Sequence, residues 1–308
     1  MAISKACLFL SVLVLLSLCL LPSPGMAGAA RTKIVLLGTG SPVPDPDRSG
    51  PAIAVVVDGH AYLVDSGTGC VRQATKAYRE KGVEGLSITG LNILFLTHLH
   101  SDHTLGYPDV MLTPWDHRVK PLEVYGPAGT RDMTENLLKA YALDIEVRTE
   151  GLQRTNLKTV TPNVHEIEPG LIYKDSLVTV TAFKVKHGSF PNSFGFTFVT
   201  PDKTIVLSGD TSPDKSLIEQ ARNADLLIHE VYAMAKYDNV PPETQKYLQA
   251  FHTSTRQLAQ IAGEAKPKLL VPIHMLGSKD LPFGTIEKEI RAAGYHGKIA
   301  ESRDLSIY

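Results

Sequence analysis

The chain has 308 residues, with 31 Lys and Arg against 32 Asp and Glu and a formal net charge of −1. Hydrophobic residues make up 43% and charged residues 20%, the proportions of an ordinary globular protein long enough for one large α/β domain or two small ones. The sequence contains no basic run of the kind that marks a nucleic-acid patch, which argues against a polyanionic partner.

The N-terminus has its own character. Lys5 precedes the apolar run "ACLFLSVLVLLSLCLL" (6–21), followed by Pro22, Pro24, Gly25 and the small-residue stretch "GMAGAA". A positive start, an apolar core, a helix break and a small-residue site are the order of a secretory signal, here expected over 1–27 and cleaved. The apolar run is shorter than the ~20 residues that span a bilayer, so the mature protein is expected to be secreted or periplasmic with no stable membrane anchor. An uncleaved anchor is the alternative. Removing the signal takes Cys7 and Cys19 with it and leaves Cys70 alone, so any metal site must use His, Asp and Glu.

From Arg31 onward, short β-rich runs alternate with amphipathic ones. Strands are expected at "KIVLLG" (33–38), "AIAVVV" (52–57), "AYLVD" (61–65), "NILFLT" (92–97) and "PLEVYG" (121–126). Helices are expected at "CVRQATKAYREKG" (70–82) and "GTRDMTENLLKAYAL" (129–143). A second half, expected from about Val160, repeats the pattern. Its strands are "LVTVTAFKV" (177–185), "FGFTFVT" (194–200), "KTIVLSG" (203–209), "DLLIHE" (225–230) and "KLLVPIH" (268–274). Its helices are "SPDKSLIEQARN" (212–223), "TSTRQLAQIAGEA" (253–265) and "GTIEKEIRAAG" (284–294). We read 31–308 as one α/β domain of two packed sheets covered by helices.

The chemistry concentrates in "LFLTHLHSDHTLGY" (94–107). In an extended segment alternate side chains share a face, which groups His98, His100 and Asp102. His103 would then start the next helix and point back to the same cavity. Imidazole and carboxylate ligands suit zinc, although manganese or iron would fit the same set. Three further candidates follow apolar strand runs: His187, Asp210 and His274. By contrast His60, His117, His165 and His296 read as surface or packing residues.

"THLHSDH", with the order His187, Asp210, His274 downstream, resembles the signature of the metallo-β-lactamase superfamily. The resemblance covers nearly everything from "KIVLLGTGSP" to "PIHM". It implies an αβ/βα sandwich with two divalent metal ions, by default Zn2+, in a cleft between the sheets. His98, His100 and His187 would hold the first ion, Asp102, His103 and His274 the second, and Asp210 would bridge both. Two such ions roughly 3.5–4 Å apart share a water, lower its pKa and aim hydroxide at an ester centre. Asp102 would orient that water as a catalytic carboxylate. Asp65, in "YLVDSGTG", would orient a ligand by accepting its other N–H or, alternatively, cap the following helix.

Two more stretches, "ADLLIHEVY" (224–232) and "FHTSTRQLAQIA" (251–262), resemble the motif pair of the ribonuclease Z-like phosphodiesterases. That resemblance implies that His252 donates a proton to the leaving group and that Glu230 orients it. His229 would face the opposite side. One departure stands out. Ribonuclease Z carries a long basic arm between the third metal His and the bridging Asp, and here only "GSFPNSFGFTFVTPDKTIVLSG" separates His187 from Asp210.

The same ligand set without the arm also resembles secreted arylsulfatases and class II cyclic-nucleotide phosphodiesterases. The expectation is therefore a secreted hydrolase of small phosphodiesters or aryl sulfate esters, with nucleic acid an improbable substrate and a homodimer plausible. The alternatives are tRNA 3′ processing, lactone or thioester hydrolysis on the same metal core, and a binding protein whose site is spent. The loops "HGSFPNSFGF" (187–196) and "GTGSPVPDPDRSGPA" (38–52) are expected at the cleft mouth. There Phe190 and Phe194 could stack on a ring, and Arg48 could pair with an anion.

Overall fold

The structure, a computed structural model, describes residues 32–238, 240–277, 281–300 and 302–308. The expected export signal therefore lies outside the described residues. The first sheet contains β1 (Thr32–Gly38), β2 (Ala52–Val57), β3 (His60–Val64), β4 (Ile93–Phe95), β5 (Glu123–Gly126) and β6 (Asn163–Glu166), in that spatial order. The second contains β7 (Gly170–Lys174), β8 (Thr179–Lys184), β9 (Phe194–Val199), β10 (Thr204–Leu207), β11 (Leu226–Tyr232) and β12 (Leu269–Leu276), again in sequence order across the sheet. Both sheets are mixed, antiparallel at the early strands of each half and parallel where helices make the crossovers.

The helices are α1 (Cys70–Lys81), α2 (Ser101–Thr104), α3 (Tyr107–Leu112), α4 (Thr130–Ala140) and α5 (Ala142–Glu150), then α6 (Lys215–Gln220), α7 (Met234–Tyr237), α8 (Pro242–Phe251), α9 (Thr255–Ala265) and α10 (Thr285–Ala292). None of the described helices is long and apolar enough to cross a membrane.

Period-two alternation assigns the layers. Ile34 and Leu36 of β1 join Ile53, Val55 and Val57 of β2 in an inter-sheet core, where they meet Phe194, Phe196, Phe198, Ile205 and Leu207 from the second sheet. Val35, Leu37, Ala54 and Val56 face the other way, against Val71, Ala74 and Ala77 of α1. On the far side of the second sheet, Val206 and Leu227 pack on Leu217, Leu258 and Ala262. The resulting order of helices, sheet, sheet and helices is the expected αβ/βα sandwich. Asp175 ties the sheets together at one edge, accepting hydrogen bonds from Tyr62 of β3 (2.6 Å) and Tyr173 of β7 (2.9 Å).

The expected strands and helices all form. The second half, however, begins at β7 rather than near Val160, because β6 pairs in parallel with β5 and closes the first sheet. Its residues, "NVHE", expose all but Val164, as an edge strand does, and so they lack the apolar alternation that marks a central one. The strand β7 and the helices α3, α5, α7 and α8 were not anticipated either. α5 buries none of its residues, and α8 opens at Pro241–Pro242, a helix-start signal that the surrounding polar residues obscure.

Arg118 holds the segment that follows the "HLHSDH" stretch. Buried and without a carboxylate partner among the described ion pairs, it donates to Leu91 O (3.2 and 2.9 Å), Met111 O (2.7 Å) and Val110 O (2.5 Å). It thus caps the carbonyls that end α3, and burial brings its pKa down to about 10. Replacing it by Met strands three buried carbonyls, at about 1–3 kcal/mol for each group left unsatisfied. Urea denaturation of Arg118→Met is expected to show a loss of at least about 2 kcal/mol, and a change within about 0.5 kcal/mol would rule out this capping role.

Candidate metal centre

The site sits at the end of the sandwich where strands of both sheets stop. After β4 the chain stays extended through His100 (φ −62°, ψ 148°), then turns at once into α2. This corrects one expectation: Asp102 does not share an extended face with His98 and His100. The helix starts at Ser101, so Asp102 and His103 leave together on its first turn while the two preceding histidines stay on the strand extension. One short motif thereby feeds two ligand groups.

In the first group, His98 Nε2 and His187 Nε2 lie 3.1 and 3.0 Å from His100 Nδ1, and with Asp210 their ligand atoms fall within 4.8 Å of one another. The second group is Asp102, His103 and His274. His274 Nε2 lies 3.0 Å from Asp102 Oδ2 and 3.4 Å from Asp210 Oδ2, while His103 Nε2 is 3.5 Å from each of those oxygens. Asp210 thus touches both groups. A third set, Asp210, His252 and His274, also converges within 4.8 Å, placing His252 against the second group.

Local backbone features aim these side chains. Gly209 precedes Asp210 with φ +59°, and a Cβ there would meet Phe194 O of the neighbouring β9 at 2.6 Å and Thr97 Cβ, from the first sheet, at 3.1 Å, so glycine suits the close approach that carries the chain into Asp210. His274 lies on a bulge: Glu230 pairs with Ile273 but Val231 pairs with Met275. Strict alternation would send His274 toward the helices with Leu270. The extra residue, held at φ +46°, returns it to the cleft. His187 is fixed by Nδ1 donating to Phe251 O at 2.8 Å.

Asp65 also holds a left-handed backbone, φ +58°, a conformation that costs energy and concentrates at functional sites. Its carboxylate accepts from Thr97 N (2.8 Å) and from His103 Nδ1 (2.8 Å). α1 starts instead at Gly69 with no side-chain cap. Of its two expected roles, Asp65 therefore takes that of orienting His103.

Electrostatics fit a cation. Burial drives His98 well below the usual imidazole range and His187 down to about 4, leaving neutral rings able to coordinate. Burial would raise Asp210 and Asp102, but the facing imidazoles outweigh it and keep both ionised. His103 Nε2 and His274 Nδ1 are buried and have no hydrogen-bond partner. Among the described ion pairs none brings a Lys or Arg to Asp65, Asp102, Asp210 or Glu230. A cluster of buried carboxylates with no Lys or Arg among its described ion-pair partners, flanked by the neutral rings of His98 and His187, is a donor set suited to divalent ions.

Beside this cluster stand Glu230 and His252. Glu230, fully buried, accepts from Thr253 N (2.8 Å) and Thr211 N (3.3 Å). Its other oxygen is 3.4 Å from His252 Nδ1, an ion-pair separation rather than a tight hydrogen bond. Burial raises Glu230. Burial also disfavours charge on His252, but the Glu230 carboxylate outweighs it and raises the imidazole. His229 turns to the opposite, helix-covered side, as expected, with Nδ1 2.6 Å from Glu230 O.

Of the cleft-mouth residues, Phe190 sits where it was expected, its ring 4.5 Å from His100 and 5.5 Å from His98. Phe194 does not. It is part of the inter-sheet core, because its place on β9 points inward. Arg48 is not free for an anion either: it donates to Thr39 Oγ1 at 2.7 Å and to Ser302 O at 3.4 Å. His60, His117, His165 and His296 are all exposed. The sequence reading missed Thr97 and the Phe251 carbonyl, whose contributions run through backbone geometry.

Comparison with known proteins agrees with this geometry. The Beta-lactamase superfamily domain matches residues 60–275. The chain is 34% identical over 278 residues to Ribonuclease Z of Mycobacterium bovis (strain BCG / Pasteur 1173P2), covering 89% of this chain and 96% of that protein. It is 32% identical to Ribonuclease Z of Mycolicibacterium gilvum over 79% of this chain and 83% of that one. Among solved structures, the metallo-beta-lactamase fold protein YhfI from Bacillus subtilis superposes with a TM-score of 0.66 at 20% identity, covering 90% of this chain and 99% of its own. Human tRNase Z, short form, gives 0.65 at 23% identity, covering 90% and 98%. This protein belongs to the metallo-β-lactamase superfamily, in its ribonuclease Z-like group, and is a metal-dependent hydrolase.

Proposed function

We propose that the chain is a phosphodiesterase of the ribonuclease Z type. In this reading His98, His100 and His187 hold one divalent ion, Asp102, His103 and His274 a second, and Asp210 serves both, with zinc the default for this donor set. Bound there, the ions supply positive charge for the ester oxygens and acidify water. Asp102, the most accessible of the carboxylates in the cluster, orients the attacking water. His252, held by Glu230, gives its proton to the leaving oxygen.

The observation that carries this reading is the His252–Glu230 pair against the second ligand group. An acid at that place helps expel an alkoxide or phenoxide, whereas a lactone or thioester has little need of one. Support for the ribonuclease Z type comes from the near end-to-end match with proteins of that name. It also brings a nucleic-acid substrate forward, against the sequence-based expectation.

A second reading, hydrolysis of small phosphodiesters or aryl sulfates after export by residues 1–27, is favoured by one specific feature. Between His187 and Asp210 the chain makes only β9, β10 and their turns, with no arm to clamp RNA. The net charge of −1 adds no electrostatic hold on a polyanion.

Rates on a precursor tRNA, an aryl phosphodiester and an aryl sulfate with the same leaving group separate the readings. The first expects 3′ cleavage of the precursor, weakened steeply by salt. A preference in kcat/KM of ~100-fold, about 2.7 kcal/mol, for either small ester over the precursor transfers the assignment to the second. Turnover of none of them above the free-metal background excludes both.

The acid has its own test. His252→Ala is expected to lower kcat/KM about 10²–10⁴-fold on a diester with an alkoxide leaving group, and progressively less as the leaving group becomes more acidic. Bound metal per chain should be unchanged. An equal loss across all leaving groups, or loss of a metal ion, would instead make His252 a ligand.

A further inference from the structure

Two aromatic side chains of α8 flank His252. Tyr247 stacks on Phe251, with ring centroids 4.7 Å apart and planes at 27°. It turns its edge toward His252, 5.9 Å away. Phe251 is itself fixed. Its ring meets His187 edge-on at 5.0 Å, and it occupies the space that a side chain at residue 188 would need, since a Cβ on Gly188 would come within 2.1 Å of it. Its carbonyl is the acceptor that orients His187.

The stack therefore rests on the same contacts that position a candidate ligand, and Tyr247 has a rigid backing. Leu248, the next residue, is the one that packs into the core beside Tyr232 and Leu276. The core does not need Tyr247, whose side chain is nevertheless held in place while 48% exposed. An aromatic ring with a fixed back and an open face, beside a candidate proton donor, is the form of a stacking platform.

We propose that Tyr247 is a specificity-determining residue for the leaving group, its open face stacking the planar ring carried by the departing alcohol. This rests on the reading of His252 as the leaving-group acid. In the reaction the P–O bond to the leaving oxygen breaks, water oxygen bonds to phosphorus and releases one proton to solvent, and the proton from His252 ends on the leaving oxygen and is replaced from solvent. A group receiving that proton must lie beside His252, and Tyr247 is the exposed ring there. Two sources offer such a ring, a simple phenol and the base of a nucleoside.

The test uses the metal-loaded protein and three diesters: a phenyl methyl phosphodiester, a fluorinated-alkyl methyl phosphodiester of matched leaving-group acidity, and a dinucleoside phosphate. Tyr247→Ala is expected to raise KM for the phenyl ester about tenfold, equal to about 1.4 kcal/mol, with kcat retained, because stacking acts equally in ground and transition states. The alkyl ester should be unaffected, and Tyr247→Phe should stay within about twofold of the parent on all three.

A parallel rise on the dinucleoside phosphate assigns the ring to a base, and a rise on the phenyl ester alone assigns it to a phenol. Equal changes on phenyl and alkyl esters, or none, overturn the proposal and leave the phosphodiesterase reading intact. Calorimetric binding of phenylphosphonate against ethylphosphonate covers the opposite case. If no diester is turned over but the phenyl preference disappears in Tyr247→Ala, the platform stands and the phosphodiesterase reading falls. With neither turnover nor a phenyl preference, the platform falls too.

Discussion

Buried negative charge with no Lys or Arg among its described ion-pair partners is the constraint on which this structure turns. Asp65, Asp102, Asp210 and Glu230 gather at one end of the sandwich, three of them almost wholly buried. Removing ionised carboxylates from water is expensive unless something positive joins them. The neighbouring imidazoles meet part of that demand. Burial, however, keeps His98 and His187 neutral, so protonated side chains alone do not complete the balance. Divalent ions would, and the donor geometry is already arranged for them.

The two-sheet architecture answers the packing problem this creates. A polar cluster of this density cannot sit in the middle of an apolar core, so it occupies the end where β4, β10, β11 and β12 terminate or bend, with the inter-sheet core beneath it as a floor. Each sheet supplies a part: the first brings Asp65 and the His98–His103 stretch, the second His187, Asp210, Glu230, His252 and His274. The candidate ligands from each side converge only when the sheets are packed, which ties the site to the integrity of the core. Strained backbone at Asp65 and His274 is tolerated because hydrogen bonds and the bulge in β12 determine those conformations from several directions.

Chemistry at such a centre is generic to tetrahedral esters, and selectivity comes from what surrounds it. The wall that holds His252 is built from α8 and the turn into α9. Phe190 lies against His98 and His100 on the other group. Between His187 and Asp210 the described residues form no basic clamp, and the net charge of the chain is −1. The relatives named Ribonuclease Z and the short β9–β10 connection pull toward different substrates for this reason: the same reactive core can be paired with different amounts of binding surface.

Much of the site was legible in the sequence because its signals are local. "HLHSDH" crowds candidate ligands into a short stretch of chain, and His187, Asp210 and His274 each follow an apolar strand run, so residue type and position suffice to nominate them. The central strands and the amphipathic helices α1, α4, α9 and α10 follow from periodicity for the same reason. Edge elements with mostly exposed residues, β6, β7, α5 and α8, carry too little apolar pattern to be read. Only tertiary packing decided that Asp102 leaves the extended stretch for α2, that a bulge turns His274 back into the cleft, that Phe194 belongs to the core, and that Arg48 is bound within its own loop. Those outcomes depend on which surfaces meet and which backbone groups must be satisfied once they do, and these are contacts between residues far apart in the chain that no local pattern encodes.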